Sequence, residues 1–210
     1  LSLIQLVLFF VQACSFRNYN DSNYYCQKLK FSCVQDNKII YFKTSKGDLE
    51  VKLFGRDNPV TVSNFLENVD NNIYVNQKFY KIINFPQISL IQGGVNPENK
   101  FYIKRNQALN KTSPSIPLEI KFKDEIKPRY NYQIKNPNEI ENLVNIFEIG
   151  SIAMVKRGKN NSSSTEFFFV TNKISELDGR YSIFGKIIKG LDVLTKIKKD
   201  DYIKEVQISD

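Results

Sequence analysis

The chain has 210 residues, is 41% hydrophobic and contains 16 Phe and 11 Tyr, which suits one folded domain with a sizeable core. Its formal charge is +8, carried mainly by dispersed Lys with no Arg-rich run, so nucleic acid is not an expected partner, and weak attraction to an anionic membrane surface accounts for such a charge at least as well. There is no His, which excludes a Ser-His-Asp triad, a Cys-His pair and imidazole acid–base or metal chemistry; three Cys are too few for a thiolate zinc site, and no metal or cofactor is expected.

Residues 1–13, LSLIQLVLFFVQA, are almost wholly apolar. They are too short for a membrane-spanning helix and fit the h-region of a secretory signal. Val11-Gln12-Ala13-Cys14 looks like a bacterial lipoprotein signal, in which Cys14 becomes the lipidated N-terminus. Ordinary cleavage after Ala13 and a buried element of the fold are the alternatives. Export to a periplasmic or lumenal side is expected, with a lipid holding the protein at the membrane. An oxidising compartment permits a disulfide between Cys26 and Cys33; two free thiols are the alternative. Residues 14–37, rich in Asn, Tyr and Ser, read as a tether, and residues 38–210 as the domain.

Within the domain, Lys38 to Leu53 alternates around a Gly-containing turn and predicts a hairpin. Asn58-Pro59 opens a helix, with Asn58 as its cap and Val62, Phe65, Leu66 and Val69 as its buried stripe. Short strands follow over 79–83 and 88–91, the second ending in Gln92-Gly93-Gly94. Residues 95–149 hold five of the seven prolines and read as a long loop or insertion, with a strand over 117–122 and a short helix over 138–147. Strands over 150–155, 167–171, 182–188 and 202–208 and a short helix over 190–197 complete the chain. Many short strands with two helices suggest a closed antiparallel barrel.

Four motifs, in this order, carry a resemblance: Phe79-Tyr80-Lys81, Ile91-Gln92-Gly93-Gly94, Ser162-Ser163-Ser164-Thr165-Glu166-Phe167-Phe168-Phe169-Val170, and Leu177-Asp178-Gly179 followed by Phe184-Gly185. From about Ile39 to Ile208 the chain resembles the cyclophilins, peptidyl-prolyl cis-trans isomerases, most of all bacterial and cyanobacterial members. The resemblance implies a mainly β fold, a closed antiparallel eight-stranded barrel with two capping helices. It implies rotation about X-Pro bonds, proline-containing peptides or proteins as clients, no cofactor and a monomer.

That rotation has a barrier of about 18–20 kcal/mol because amide resonance must be broken. A donor beside the prolyl nitrogen lowers it by favouring the twisted state over the planar one. In the family this donor is an Arg; Lys81 takes its position, keeps the charge and loses the planar fork. Gln92 matches the pocket glutamine that bonds substrate backbone, so Lys81 and Gln92 are the catalytic candidates. Phe168 matches the floor of the proline pocket, Leu90 and Leu177 its walls, and Tyr181 a pocket His. Ser89 aligns with a pocket Phe, although extra residues between Asn84 and Ile88 could put Ile88 there instead. Val155 and Lys156 align with positions that bind substrate as a backbone edge, Glu166 with a Gln, Glu176 with a Trp, and Phe79 stands between core and pocket.

Two further functions compete with a weakened isomerase acting on exported proteins. One is a non-catalytic module that holds proline segments, the other a basic adaptor working through residues 95–149.

Overall fold

The computed structural model describes residues 21–96, 98 and 115–209. The expected signal segment, Cys14, and part of the 95–149 insertion lie outside the described residues.

Helix α1 (Ser22–Leu29) lies where a tether was expected. Asp21 caps it by accepting from the Asn23 N–H at 3.0 Å. It is fixed to the domain, because the Tyr25 ring lies 4.7 Å from that of Tyr130 and the Val34 N–H donates to Ser63 Oγ at 2.7 Å. Cys26 and Cys33 are joined in a disulfide, with Cα atoms 5.5 Å apart. Aromatic packing and this covalent loop make part of the Asn/Tyr/Ser-rich segment an ordered piece of the fold.

Strands β1 (Lys38–Thr44) and β2 (Gly47–Leu53) form the expected hairpin, with Lys38 opposite Leu53 and Thr44 opposite Gly47. Helix α2 (Pro59–Asp70) buries the whole predicted stripe. Its cap differs from expectation. The Asn58 side chain makes no capping bond; instead, the Glu119 carboxylate accepts from the N–H groups of Val60 (3.1 Å) and Thr61 (2.8 Å). Asn58 Nδ2 donates to the Glu119 carbonyl at 3.1 Å, so the side chain that would have capped locally clamps the distant one.

Strands β3 (Lys81–Asn84) and β4 (Ser89–Gly94) form a second hairpin. The proline-rich region contributes β5 (Ser115–Pro117), β6 (Glu119–Ile120), β7 (Arg129–Tyr130) and a 3-10 helix over Pro137–Asn142, shorter than the helix expected there. Then come β8 (Ser151–Arg157), β9 (Asn161–Val170), β10 (Ile183–Lys189), α3 (Leu191–Lys196) and β11 (Ile203–Ile208).

Eight strands make one curled antiparallel sheet in the order β11-β1-β2-β10-β8-β9-β4-β3, with β5 paired on β9. The full closure expected from the sequence is not reached. Between its ends the chain before β3 meets the start of β11 through one isolated bridge, Lys78 with Tyr202, and through backbone bonds that join Asn76 and Gln77 to Ile203 and Phe79 to Asp200 and Asp201 at 2.8–2.9 Å. Asn76 (φ 61°) and Asp200 (φ 72°) are in left-handed conformations, which a continuous ladder does not accommodate.

Period-2 alternation sorts the side chains. One face fills the inside of the curl with Phe42, Phe167, Phe169 and Phe184, closed by Phe65 of α2, all fully buried. Each such ring stabilises the fold by about 2–3 kcal/mol through burial. The other face of β3, β4, β8 and β9 carries the site.

Candidate active site

Lys81 and Gln92 are cross-strand partners, as are Ile83 and Leu90. On the other side of β4, Gln92 is opposite Phe168 and Leu90 opposite Val170; Phe168 is in turn opposite Ala153 of β8. Partners opposite one another share a face, so Lys81, Gln92, Leu90 and Phe168 fall on one outer surface. Leu90, Phe168, Val170, Ala153, Phe147, Ile174 and Ile183 form a second apolar cluster there, with Val155, Leu177, Tyr181, Ile83 and Ile88 packed against it. The Phe168 and Tyr181 rings meet edge to face at 5.3 Å, and Phe147 stacks on Phe168 at 5.7 Å. Burial pushes the Tyr181 phenol up, against the nearby Arg180 charge. Phe168 itself is only 3% exposed.

The same alternation sends two candidates elsewhere. Ser89 lies one residue from Leu90 and faces the other way. Its hydroxyl meets Thr171 Oγ1 at 2.5 Å, and its N–H donates to Asn172 Oδ1 at 3.0 Å. Ile88 is the neighbour that packs on the pocket cluster. Phe79 is fully buried in the inner core. A Cβ on Gly93 would stand 2.9 Å from the Phe79 ring, and one on Gly94 (φ +96°) 2.2 Å from the Thr165 carbonyl oxygen; the paired glycines permit this close packing.

Beside Gln92 runs a polar network that the sequence reading did not contain. Gln92 Nε2–H donates to the Tyr80 oxygen at 2.7 Å, and the Tyr80 hydroxyl donates to Glu166 Oε1 at 2.8 Å. Glu166 Oε2 accepts from Arg157 Nη2 (2.5 Å) and Nε (3.0 Å) and from Ser163 Oγ (3.0 Å). The Glu166 side chain is 4% exposed, so these donors compensate a charge that would otherwise be costly to bury. Glu166 thus anchors Tyr80, and through it the Gln92 carboxamide. Burial first, and then the Glu166 charge, hold the Tyr80 phenol well above its usual range. Phe79-Tyr80-Lys81 was a visible motif, yet Arg157 and Glu166 meet only through the β8–β9 hairpin, which residue spacing alone does not reveal.

Lys81 is exposed and lines a polar cleft with Tyr80, Gln92, Gly94, Lys199 and Asp200. At the opposite rim, β10 pairs with β8 only as far as Ala153. Beyond it, among the described residues, no strand covers that edge of Val155 and Lys156. The Lys156 ammonium donates to Gln133 Oε1 at 2.9 Å.

An apolar cluster on the outer face, a carboxamide held in place and a cation on one side, and an open strand edge on the other suit a peptide lying across this face. The model of the cyclophilin type peptidyl-prolyl cis-trans isomerase/CLD family matches residues 39–210. The chain belongs to this family. A peptidyl-prolyl cis-trans isomerase of Acinetobacter baylyi is 29% identical over 168 residues, covering 77% of this chain and 72% of its own. One from Helicobacter pylori is 30% identical over 169 residues, covering 80% and 85%. Other relatives are longer proteins, of which this cyclophilin spans 22% to 27%. Among solved structures, a Cryptosporidium parvum cyclophilin type isomerase shares the fold with a TM-score of 0.59 and 24% identity, covering 83% of this chain and 99% of that one.

Proposed function

We propose that this cyclophilin isomerises X-Pro bonds in exported proteins, at a rate reduced by the Lys at position 81. The observation that carries the reading is the shared outer face of Lys81, Gln92, Leu90 and Phe168, walled by Val155, Leu177 and Tyr181. Proline stacks on Phe168. Gln92 donates to Tyr80 through its nitrogen, which turns its carbonyl oxygen into the acceptor for a substrate N–H. Lys81 supplies positive charge where the prolyl nitrogen gains its lone pair, without the two-point contact of a guanidinium. The near-complete burial of Phe168 supports a slow enzyme, since the rim must move before a proline reaches the ring.

The same Lys81 substitution also favours a second reading, a proline-binding module without catalysis. Exchange NMR on an Ala-Pro peptide with the full chain separates the two without a coupling protease; the Cryptosporidium parvum relative has itself been solved in the presence of dipeptide Ala-Pro. Accelerated cis–trans exchange is the expected result. Peptide shifts without acceleration would leave only the module, and neither effect would remove both.

Export is supported by the Cys26–Cys33 disulfide, a bond that persists in oxidising compartments. Cys14 is proposed as the lipidated residue that keeps the protein at the membrane. Cys14→Ser is expected to move the protein from the membrane to the soluble fraction; retention of the variant on membranes would refute the lipid anchor.

A further inference from the structure

The charges around the proline pocket do not balance. On the β3–β4 side Lys81 is exposed, and no ion pair or hydrogen bond of its side chain is found among the described residues. On the opposite rim Arg180, in the turn before Tyr181, is likewise exposed, and it has no carboxylate partner among the described residues. Among the described residues the Lys156 ammonium bonds the neutral Gln133 amide and no carboxylate. The residue after Gln133, Ile134, donates its N–H to the carbonyl of Gly179 at 3.3 Å, which brings Lys156 and Arg180 to the same rim; burial, and then the Arg180 charge, lower the affinity of Lys156 for its proton. Arg180 directly precedes Tyr181, whose ring meets that of Phe168 at 5.3 Å, so it stands beside the pocket wall.

The acidic groups nearby are mostly spent. Glu166 is neutralised by Arg157. Asp178 is 5% exposed and accepts the Phe147 N–H at 2.7 Å. Glu148 is paired with Lys186. Glu176 on the 3-10 turn is exposed on the Arg180 side, and on the Lys81 side Glu98 and Asp200 line the cleft with Lys78, Lys81 and Lys199, Asp200 being paired with Lys78, so among the described residues the cations around the pocket outnumber the carboxylates.

Resting on the isomerase reading above, we propose that this cyclophilin selects proline segments with carboxylate side chains on the residues flanking the proline. Lys81 meets the flank on one side of the pocket, and Lys156 with Arg180 meets the flank on the other. A cationic rim of this kind speeds encounter with acidic peptides and rejects basic ones by like-charge repulsion. Because the rim is open to solvent, the preference is ionic-strength dependent, with charges further apart than about 10 Å largely screened at 0.1 M salt.

The test is a titration of the full chain, followed by NMR, with three end-blocked peptides: Ala-Glu-Pro-Glu-Ala, Ala-Gln-Pro-Gln-Ala and Ala-Lys-Pro-Lys-Ala. At ~50 mM salt the Glu peptide is expected to bind about tenfold more tightly than the Lys peptide, with the Gln peptide between, and at ~0.5 M the spread collapses. Arg180→Gln, a change at an exposed turn, is expected to narrow the Glu-to-Lys ratio about threefold. Equal binding of all three peptides, or tightest binding of the Lys peptide, would overturn the charge selection and leave the proline pocket standing. Absence of binding by any of them, at either salt, would remove the proline-site reading and this inference with it.

Discussion

Lys81→Arg is expected to raise the catalysed cis–trans exchange rate of an Ala-Pro peptide by about ten- to a hundredfold, the span of one added charged hydrogen bond of about 1.5–3 kcal/mol. The backbone already places the side chain: Lys81 is opposite Gln92, which is opposite Phe168, so residue 81 stands one strand away from the stacking ring and on its face. The Lys81 side chain holds no ion pair or hydrogen bond among the described residues, so an Arg there breaks nothing. A guanidinium can donate to the prolyl region and the preceding carbonyl in one plane, where an ammonium serves one point. The gain belongs to kcat, because the nitrogen lone pair exists only in the twisted state. The check is the exchange rate at saturating peptide for both proteins. An unchanged rate would place the limit at the rim over Phe168, where the ring is 3% exposed.

What the sequence discloses here follows from local periodicity. The β1–β2 hairpin and the buried stripe of α2 are repeats of 2 and 3.6, and both stand as expected. The pocket candidates Leu90, Phe168, Val155, Leu177 and Tyr181 come together because the motif order preserves their strands. Register decides the exceptions. The extra residues between Asn84 and Ile88 leave the alignment one step ambiguous, and one step in a strand exchanges faces, which is why Ser89 turns to Thr171 while Ile88 packs on the pocket. Tyr80, Glu166 and Arg157 form a unit only after two hairpins bring three strands together. Local composition misled at α1, where Asn, Tyr and Ser suggested a tether but Tyr25 packs on Tyr130, while the Cys26–Cys33 disulfide is one of the two readings those cysteines allow. The seam of the sheet contains two left-handed residues, Asn76 and Asp200, that no hydrophobic pattern announces.

The helix cap supplied from a distance gives the largest expected effect on stability. Glu119 is fully buried, and burial pushes its carboxyl up to about 7 from an ordinary 4.5, although the N–H groups of Thr61 and Val60 favour the charged form. The raised value fixes the sign. Below pH 4.5 the group is protonated in the folded and the unfolded chain, and its contribution is complete. From 4.5 to 7 the unfolded chain releases its proton first, so stability falls as pH rises, by about 3 kcal/mol over the whole window. The carboxylates held low by surface partners, Glu148 and Glu205 among them, act in the opposite direction and at lower pH. Glu119→Gln isolates the effect. The amide keeps one acceptor for the α2 N-terminus, turns an NH2 toward the other N–H, and does not titrate. The variant is expected to be less stable than the parent at pH 5 by about 1–3 kcal/mol, the cost of a buried donor without an acceptor, and the gap is expected to shrink toward pH 7 as the parent loses its advantage. Urea unfolding of both proteins at half-unit steps from pH 4.5 to 7.5 reads the gap directly. A gap that stays constant across that range would mean that Glu119 is ionised throughout, held so by the two backbone N–H groups, and that the cap works as a charge on the α2 N-terminus.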